Sequence, residues 1–144
     1  TGVYAAPPVS AAERALAERI LGAVGKVVWV EREALLDPVT AISGSGPAYV
    51  FYFIEAMQQA AVAMGLSADV GRQLAAETFL GAAELALRSA ESPEELRAKV
   101  TSKGGTTAAA IAAMDQAAVK TAIVRALEAA NRRAAELADE FGRG

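Results

Sequence analysis

Residues 101–107 read TSKGGTT, a hydroxyl pair, a lysine, two adjacent glycines and a second hydroxyl pair, set between alanine-rich segments. Gly104 and Gly105 permit positive φ and let bare backbone come close to a ligand. Thr106 and Thr107 fall where the following helix begins, so unpaired amides at its positive end stand beside their hydroxyls. A small carboxylate fits such a place. An ordinary helix-helix turn closed by a threonine cap uses the same residues, and the local chemistry leaves both readings open.

A second glycine-serine stretch, Ser43, Gly44, Ser45 and Gly46, precedes Pro47. It fails as a dinucleotide fingerprint, because Tyr49 occupies the third glycine position, Pro47 has no amide to offer phosphate, and no strand precedes it. A glycine turn with a helix N-cap accounts for it equally well. TSKGGTT in turn lacks the glycine and lysine order of a P-loop.

The composition limits the chemistry further. The chain has neither histidine nor cysteine. Zinc sites of the usual type, thiol nucleophiles, disulfides and side chains titrating near neutrality are therefore not expected, and no metal site is assigned. Reactions must run on hydroxyls, backbone amides, carboxylates or a borrowed cofactor. There are 14 Lys plus Arg against 17 Asp plus Glu, with the basic residues scattered, so nucleic acid is not an expected partner. The apolar run PAYVFYFI at 47–54 is far short of the ~20 residues that cross a bilayer. With no signal-peptide pattern, a cytoplasmic protein of 144 residues with one main core is expected.

The elements that must position these residues are mostly helices. Ser10 and Glu13 form a capping box for a helix over 11–24, with Gly25 as its stop, and residues 2–5 and 26–30 on either side favour strands. Asp37-Pro38 reads as an N-cap and first helical position opening a short turn. Ser45, Gly46 and Pro47 open a long helix to Met64 that Gly65 stops. Ser67 caps a helix running toward Ser89, and Ser92 with Glu95 boxes a short one ending near Val100. Beyond TSKGGTT, propensity alone predicts one helix to Glu140. Residues 49–54 are apolar around the whole helix, so that helix needs cover on several sides, from a bundle or from a second subunit. Alanines and Gly81 in the next helix permit close backbone approach.

The stretches DPVTAISGSGPAYVFYFIEAM at 37–57, GLSADVGRQLAAETFLGAA at 65–83 and SPEELRAKVTSKGGTTAAAI at 92–111 resemble the C-terminal dimerisation domain of the pyrroline-5-carboxylate reductases. The likeness covers nearly the whole chain. It implies a mainly all-α fold of the 6-phosphogluconate dehydrogenase C-terminal type, interlocked with a second subunit, over 36–144. Residues 1–35 then correspond to a β-α-β remnant of a Rossmann domain, poorly ordered or paired with another chain.

The resemblance implies hydride transfer from NADPH or NADH to the C=N bond of 1-pyrroline-5-carboxylate, giving L-proline in the last step of proline biosynthesis. The cofactor is then held mainly by an N-terminal domain that these residues lack, and the chain alone is expected to be inactive. By the same resemblance, Ser102, Gly104, Gly105, Thr106 and Thr107 receive the substrate carboxylate. Thr107 is the expected catalytic hydroxyl beside the ring nitrogen, and Ser43 to Gly46 lie near the nicotinamide. The expected assembly is a homodimer or a larger homo-oligomer. Many relatives carry glycine near Ala117-Ala118, where this chain has none, which leaves a helix break at 115–119 open. The alternatives are a non-catalytic helical oligomerisation module and a helical domain of another 6-phosphogluconate-type dehydrogenase, which should lack TSKGGTT.

Overall fold

A computed structural model describes residues 1–141. Its elements are β1 (Gly2–Tyr4), α1 (Ala11–Gly22), β2 (Val28–Val30), a 3-10 turn (Glu33–Leu35), α2 (Leu36–Val39), a π-helical turn (Thr40–Gly44), α3 (Gly46–Ala63), α4 (Ala68–Arg88), α5 (Pro93–Lys99), α6 (Thr106–Gln116) and α7 (Val119–Phe141). The fold is mainly helical, with one two-stranded parallel sheet. Two compact units divide it: Thr1–Gly46 with the segment from Val124 onward, and Pro47–Ile123.

In the first unit, β1 and β2 pair in parallel, with Gly2 opposite Val28, Val3 opposite Trp29 and Tyr4 opposite Val30. The two strands pair with each other, joined through α1 as a parallel pair requires. Helix α1 begins at the expected box, where the Ser10 hydroxyl accepts the Glu13 amide and the Glu13 carboxylate accepts the Ser10 amide. Trp29 ties β2 to α1 by donating from Nε1 to Glu18 at 3.3 Å, while the Arg14 guanidinium lies 4.6 Å over its ring. A side chain at Gly2 would meet Val39 at 2.6 Å, so β1 packs directly on α2.

Helical structure after β2 starts earlier than Asp37-Pro38 led one to expect. Asp37 is not an N-cap; it lies inside α2, with Pro38 still in the first turn. Proline is tolerated throughout a first turn, where its missing amide has no intrahelical partner to lose, so this dipeptide does not fix the start. The run then widens into the π turn, closed by the Ser45 amide donating to the Thr40 carbonyl at 2.9 Å.

In the second unit, α3 and α4 follow their expected limits, with Gly65 at φ +97 between them and the Ser67 hydroxyl accepting the Val70 amide. Their close approach falls at Gly71 and not at Gly81. A Cβ on Gly71 would stand 2.7 Å from that of Ala61, whereas nothing lies within 4 Å of one on Gly81. Phe53 and Phe79 extend this contact, their rings 6.3 Å apart. The core is thin: among the described residues the buried hydrophobics are Ala41, Ala61 and Ala75. Phe51 and Tyr52 on α3 are 67% and 71% exposed.

The predicted single helix after TSKGGTT is broken. Helix α6 ends at Gln116, and Ala118 takes the left-handed conformation with φ 52 before α7 starts. The break thus lies where the relatives' glycine led one to look, but an alanine makes it.

Candidate functional site

Helix α5 leads into the TSKGGTT stretch. Its end is fixed when the Thr101 hydroxyl donates to the Arg97 carbonyl at 2.6 Å and the Thr101 amide to the Ala98 carbonyl at 3.1 Å. Gly104 then turns the chain at φ +74, a conformation that costs a side-chain-bearing residue roughly 1–2 kcal/mol. The Gly105 amide donates to the Ser102 carbonyl at 3.0 Å and closes the loop. A Cβ on Gly105 would sit 2.5 Å from the Ser102 hydroxyl oxygen and 3.2 Å from that carbonyl. Both glycines therefore have steric reasons, one from φ and the other from crowding.

Gly105 is the N-cap of α6, with φ −81 and ψ 172, and no side chain caps the helix. Thr106 is accordingly the first helical residue and not a threonine cap. Thr107 follows half-buried, while Ser102 and Thr106 are exposed. Among the described residues the hydroxyls of Ser102, Thr106 and Thr107 have no hydrogen-bond partner. The structure thus brings together Ser102, Gly104, Gly105, Thr106 and Thr107 around the first, unpaired amides of an eleven-residue helix. Such a constellation can hold an anion on backbone dipoles and offer neutral hydroxyls to a neighbouring polar atom.

Ser43 and Gly44 lie exposed in the π turn, Ser45 follows it in the α region, and Gly46 opens α3. Turns of this kind recur at functional positions, and no sequence signal announced this one. Sequence reading also missed Asn131. Its Oδ1 is buried without a hydrogen-bond partner, beside a cleft lined by Pro38, Ala41, Ile42, Val124 and Leu127. The available clue was a polar residue on an otherwise apolar stripe of α7.

The fit of a nicotinamide dinucleotide can be tested on β1, α1 and β2. Residues 5–10 contain no glycine, and the first turn of α1 is taken up by its own Ser10–Glu13 box. That unit does not fit a pyrophosphate.

The family model for pyrroline-5-carboxylate reductase dimerisation matches residues 33–137. The chain belongs to this family. It is 46% identical over 142 residues to a pyrroline-5-carboxylate reductase of Pseudomonas aeruginosa, covering 99% of this chain and 52% of that protein. A pyrroline-5-carboxylate reductase of Synechocystis is 44% identical over 137 residues, 95% of this chain and 51% of that one. Among solved structures, that of a pyrroline-5-carboxylate reductase from Coxiella burnetii superposes with a TM-score of 0.90 at 43% identity, covering 94% of this chain and 50% of that one. A Plasmodium falciparum pyrroline carboxylate reductase with NADP bound gives 0.83 at 29% identity, over 92% and 51%. The chain thus spans about half the length of the relatives it matches, and the match to this reductase family includes the π turn and the TSKGGTT loop.

Among the described residues, no helix is long and apolar enough to cross a membrane, and no group of three or more acidic, His or Cys side chains could hold a metal ion.

Proposed function

We propose that this chain is part of a pyrroline-5-carboxylate reductase, to which it supplies the assembly surface and the site for the substrate carboxylate. The observation that carries this reading is the bare N-terminus of α6, with Gly104, Gly105 and unpaired hydroxyls at Ser102, Thr106 and Thr107, inside a family match over 33–137. Residues 36–144 form the helical domain in this reading, and 1–35 the tail of a nucleotide-binding domain. The family match beginning at residue 33 supports that division.

The carboxylate of 1-pyrroline-5-carboxylate lies on the first amides of α6, and the Ser102 and Thr106 hydroxyls add donors. That fixes the ring so that its nitrogen meets Thr107. A hydroxyl can accept from a protonated imine and donate to the amine that replaces it, so Thr107 holds the C=N bond through the change of charge. NADPH or NADH, when bound, supplies the hydride. It is held mainly by residues outside this chain, since β1, α1 and β2 do not fit its pyrophosphate, and Ser43 to Gly46 meet at most its nicotinamide end. A cytoplasmic setting belongs to the same reading, because reduced nicotinamide cofactors are kept inside cells.

The partner is a second copy of the chain. Phe51, Tyr52, Leu80, Leu85 and Leu87 lie exposed along α3 and α4, an apolar display that folded monomers rarely carry. A homodimer, alone or within a larger homo-oligomer, covers them through an interface above the ordinary ~1,600 Å².

Titration of the isotopically labelled chain with L-proline, followed through its amide resonances, tests the site. Saturable shifts at Gly105, Thr106 and Thr107 are expected. A change of mass without any ligand-induced shift at millimolar proline would leave only a helical oligomerisation module.

A further inference from the structure

The junction between α6 and α7 is a place where local helix propensity and observed structure disagree. From Thr106 to Phe141 the sequence has neither glycine nor proline and is dominated by alanine, the strongest helix former. A continuous helix is its natural state. Instead, α6 ends with the Ala117 amide donating to the Ala113 carbonyl, its last regular bond, and the Ala118 amide to the Asp115 carbonyl, one of the two bonds of a glycine-type closure, both at 3.0 Å. The left-handed residue in such a closure is usually glycine, and here it is Ala118 at φ 52. Its carbonyl accepts the Ala122 amide at 3.0 Å and so opens α7. Among the described residues no other non-glycine residue has positive φ.

The bend therefore carries two costs, the left-handed alanine and the intrahelical bonds that a straight helix would keep across 117–121. Packing must repay them. Leu127, Ala130, Asn131, Ala134 and Leu137 recur at helical spacing along one face of α7, yet each is only half-buried, and no residue of α7 is fully buried. A single copy covers that face in part, and the Asn131 Oδ1 still lacks a donor.

We propose that the α6–α7 junction is a two-state hinge. It is bent at Ala118 when the inner face of α7 is fully covered, and straightens into one helix when it is not. Assembly thereby sets the direction of the helix whose first residues are Thr106 and Thr107. The inference rests on the assembly reading above, since a second copy is what completes the cover.

The chain has no cysteine, so paired cysteines at Ala112 and Arg132, both exposed, accept spin labels without background. An unbroken helix separates these positions by about 30 Å, and a break between them shortens the distance. Labelled chain diluted into unlabelled chain reports the distance within one copy, while light scattering reports mass separately. The ~30 Å component should grow as the assembly is diluted apart. Ala118→Gly relieves the left-handed residue and weakens the straight helix, so it should shift the ratio toward the bent form by roughly 5–30-fold. Ala118→Val, which tolerates positive φ least, should enrich the long component while circular dichroism stays helical. One short distance that persists in the unsubstituted chain at dilutions where light scattering gives the mass of a single copy overturns the hinge, whatever Ala118→Val does. A dimer mass before that dilution would leave the assembly reading intact.

Discussion

Helices α5 and α6 follow one another yet begin in opposite ways. At α5 the Ser92 hydroxyl accepts the Glu95 amide at 3.2 Å, and the Glu95 carboxylate accepts the Ser92 amide at 2.7 Å and its hydroxyl at 2.9 Å. That end is complete in itself. At α6 the N-cap is Gly105, no side chain reaches back, and three hydroxyls stand by without partners among the described residues. Ser10 closes α1 in the manner of Ser92, and at α4 the Ser67 hydroxyl accepts the Val70 amide, so this chain has ready means to close a helix. Leaving α6 open keeps its amides available to something from outside, and with glycine in the cap position the loss relative to a serine cap is only about a few tenths of a kcal/mol.

The strongest way to break this contrast is to spoil the turn that presents the open end. At φ +74, Gly104 cannot accept a β-branched side chain without strain, although nothing lies within 4 Å of where its Cβ would be. Gly104→Val should weaken binding of proline, read by calorimetry, by roughly 5–30-fold through loop displacement. Unchanged affinity with unchanged α6 amide shifts would show that the loop's geometry is not what holds the ligand.

Thr107→Ala sharpens the comparison at the chemical step. In a full-length reductase carrying this domain, it leaves Gly105 as the cap and the amides in place while removing one neutral hydroxyl. A hydrogen bond of that kind is worth about 0.5–1.5 kcal/mol, and more where it strengthens in the transition state. Steady-state kinetics should show kcat/KM for pyrroline-5-carboxylate reduced at least several-fold, with the melting temperature nearly unchanged. Wild-type kcat/KM in a correctly assembled variant would remove Thr107 from the mechanism.

The closed end should respond in the reverse sense. Ser92→Ala removes the acceptor for the Glu95 amide and should lower stability by about 1 kcal/mol in chemical denaturation. Proline affinity should stay as it was. If affinity fell as steeply as in Gly104→Val, the two helix ends would have to be treated as one coupled unit.

What was legible in the sequence follows the same division. The boxes at Ser10 and Ser92, the cap at Ser67 and the stop at Gly65 act through residues three or four positions apart, and the structure has all of them. The strand after α1 was legible from β-branched residues near Trp29, but its pairing with β1 was not. Asp37-Pro38 misled, because a proline in a first turn does not say which position of that turn it occupies. The π turn at 40–44 was not readable, and a break at 115–119 could only be left open, since neither carries a residue that requires it. Gly71 outranked Gly81 because only the pairing of α3 with α4 decides which glycine faces a neighbour. The open end of α6 was visible as a glycine pair before threonines. Its difference from a simple turn became visible only with Gly105, and not Thr106, in the cap position.

The smallest effect separating the two kinds of helix end is their response to acid. Glu95 is held below the ordinary glutamate range by its bonds from the Ser92 amide and then the Ser92 hydroxyl, and Glu13 by its bonds from the Ser10 hydroxyl and then the Ser10 amide. A carboxyl whose folded value is depressed contributes stability above its unfolded value and loses that contribution as pH falls through the folded one. For these boxes the loss begins near pH ~4.3, the unfolded glutamate value, and continues below it. Both glutamates are fully exposed, so the consequence is local opening of the first turns of α1 and α5 rather than unfolding. The Gly105 cap has no carboxylate to protonate. In an amide NMR titration, Ser10 and Ser92 should therefore shift together with midpoints below the usual glutamate value, while Gly105 stays still over the same range. A Gly105 resonance titrating in step with Ser92 would mean that α5 transmits its end to the TSKGGTT loop, and the open end of α6 would no longer be independent of the closed end before it.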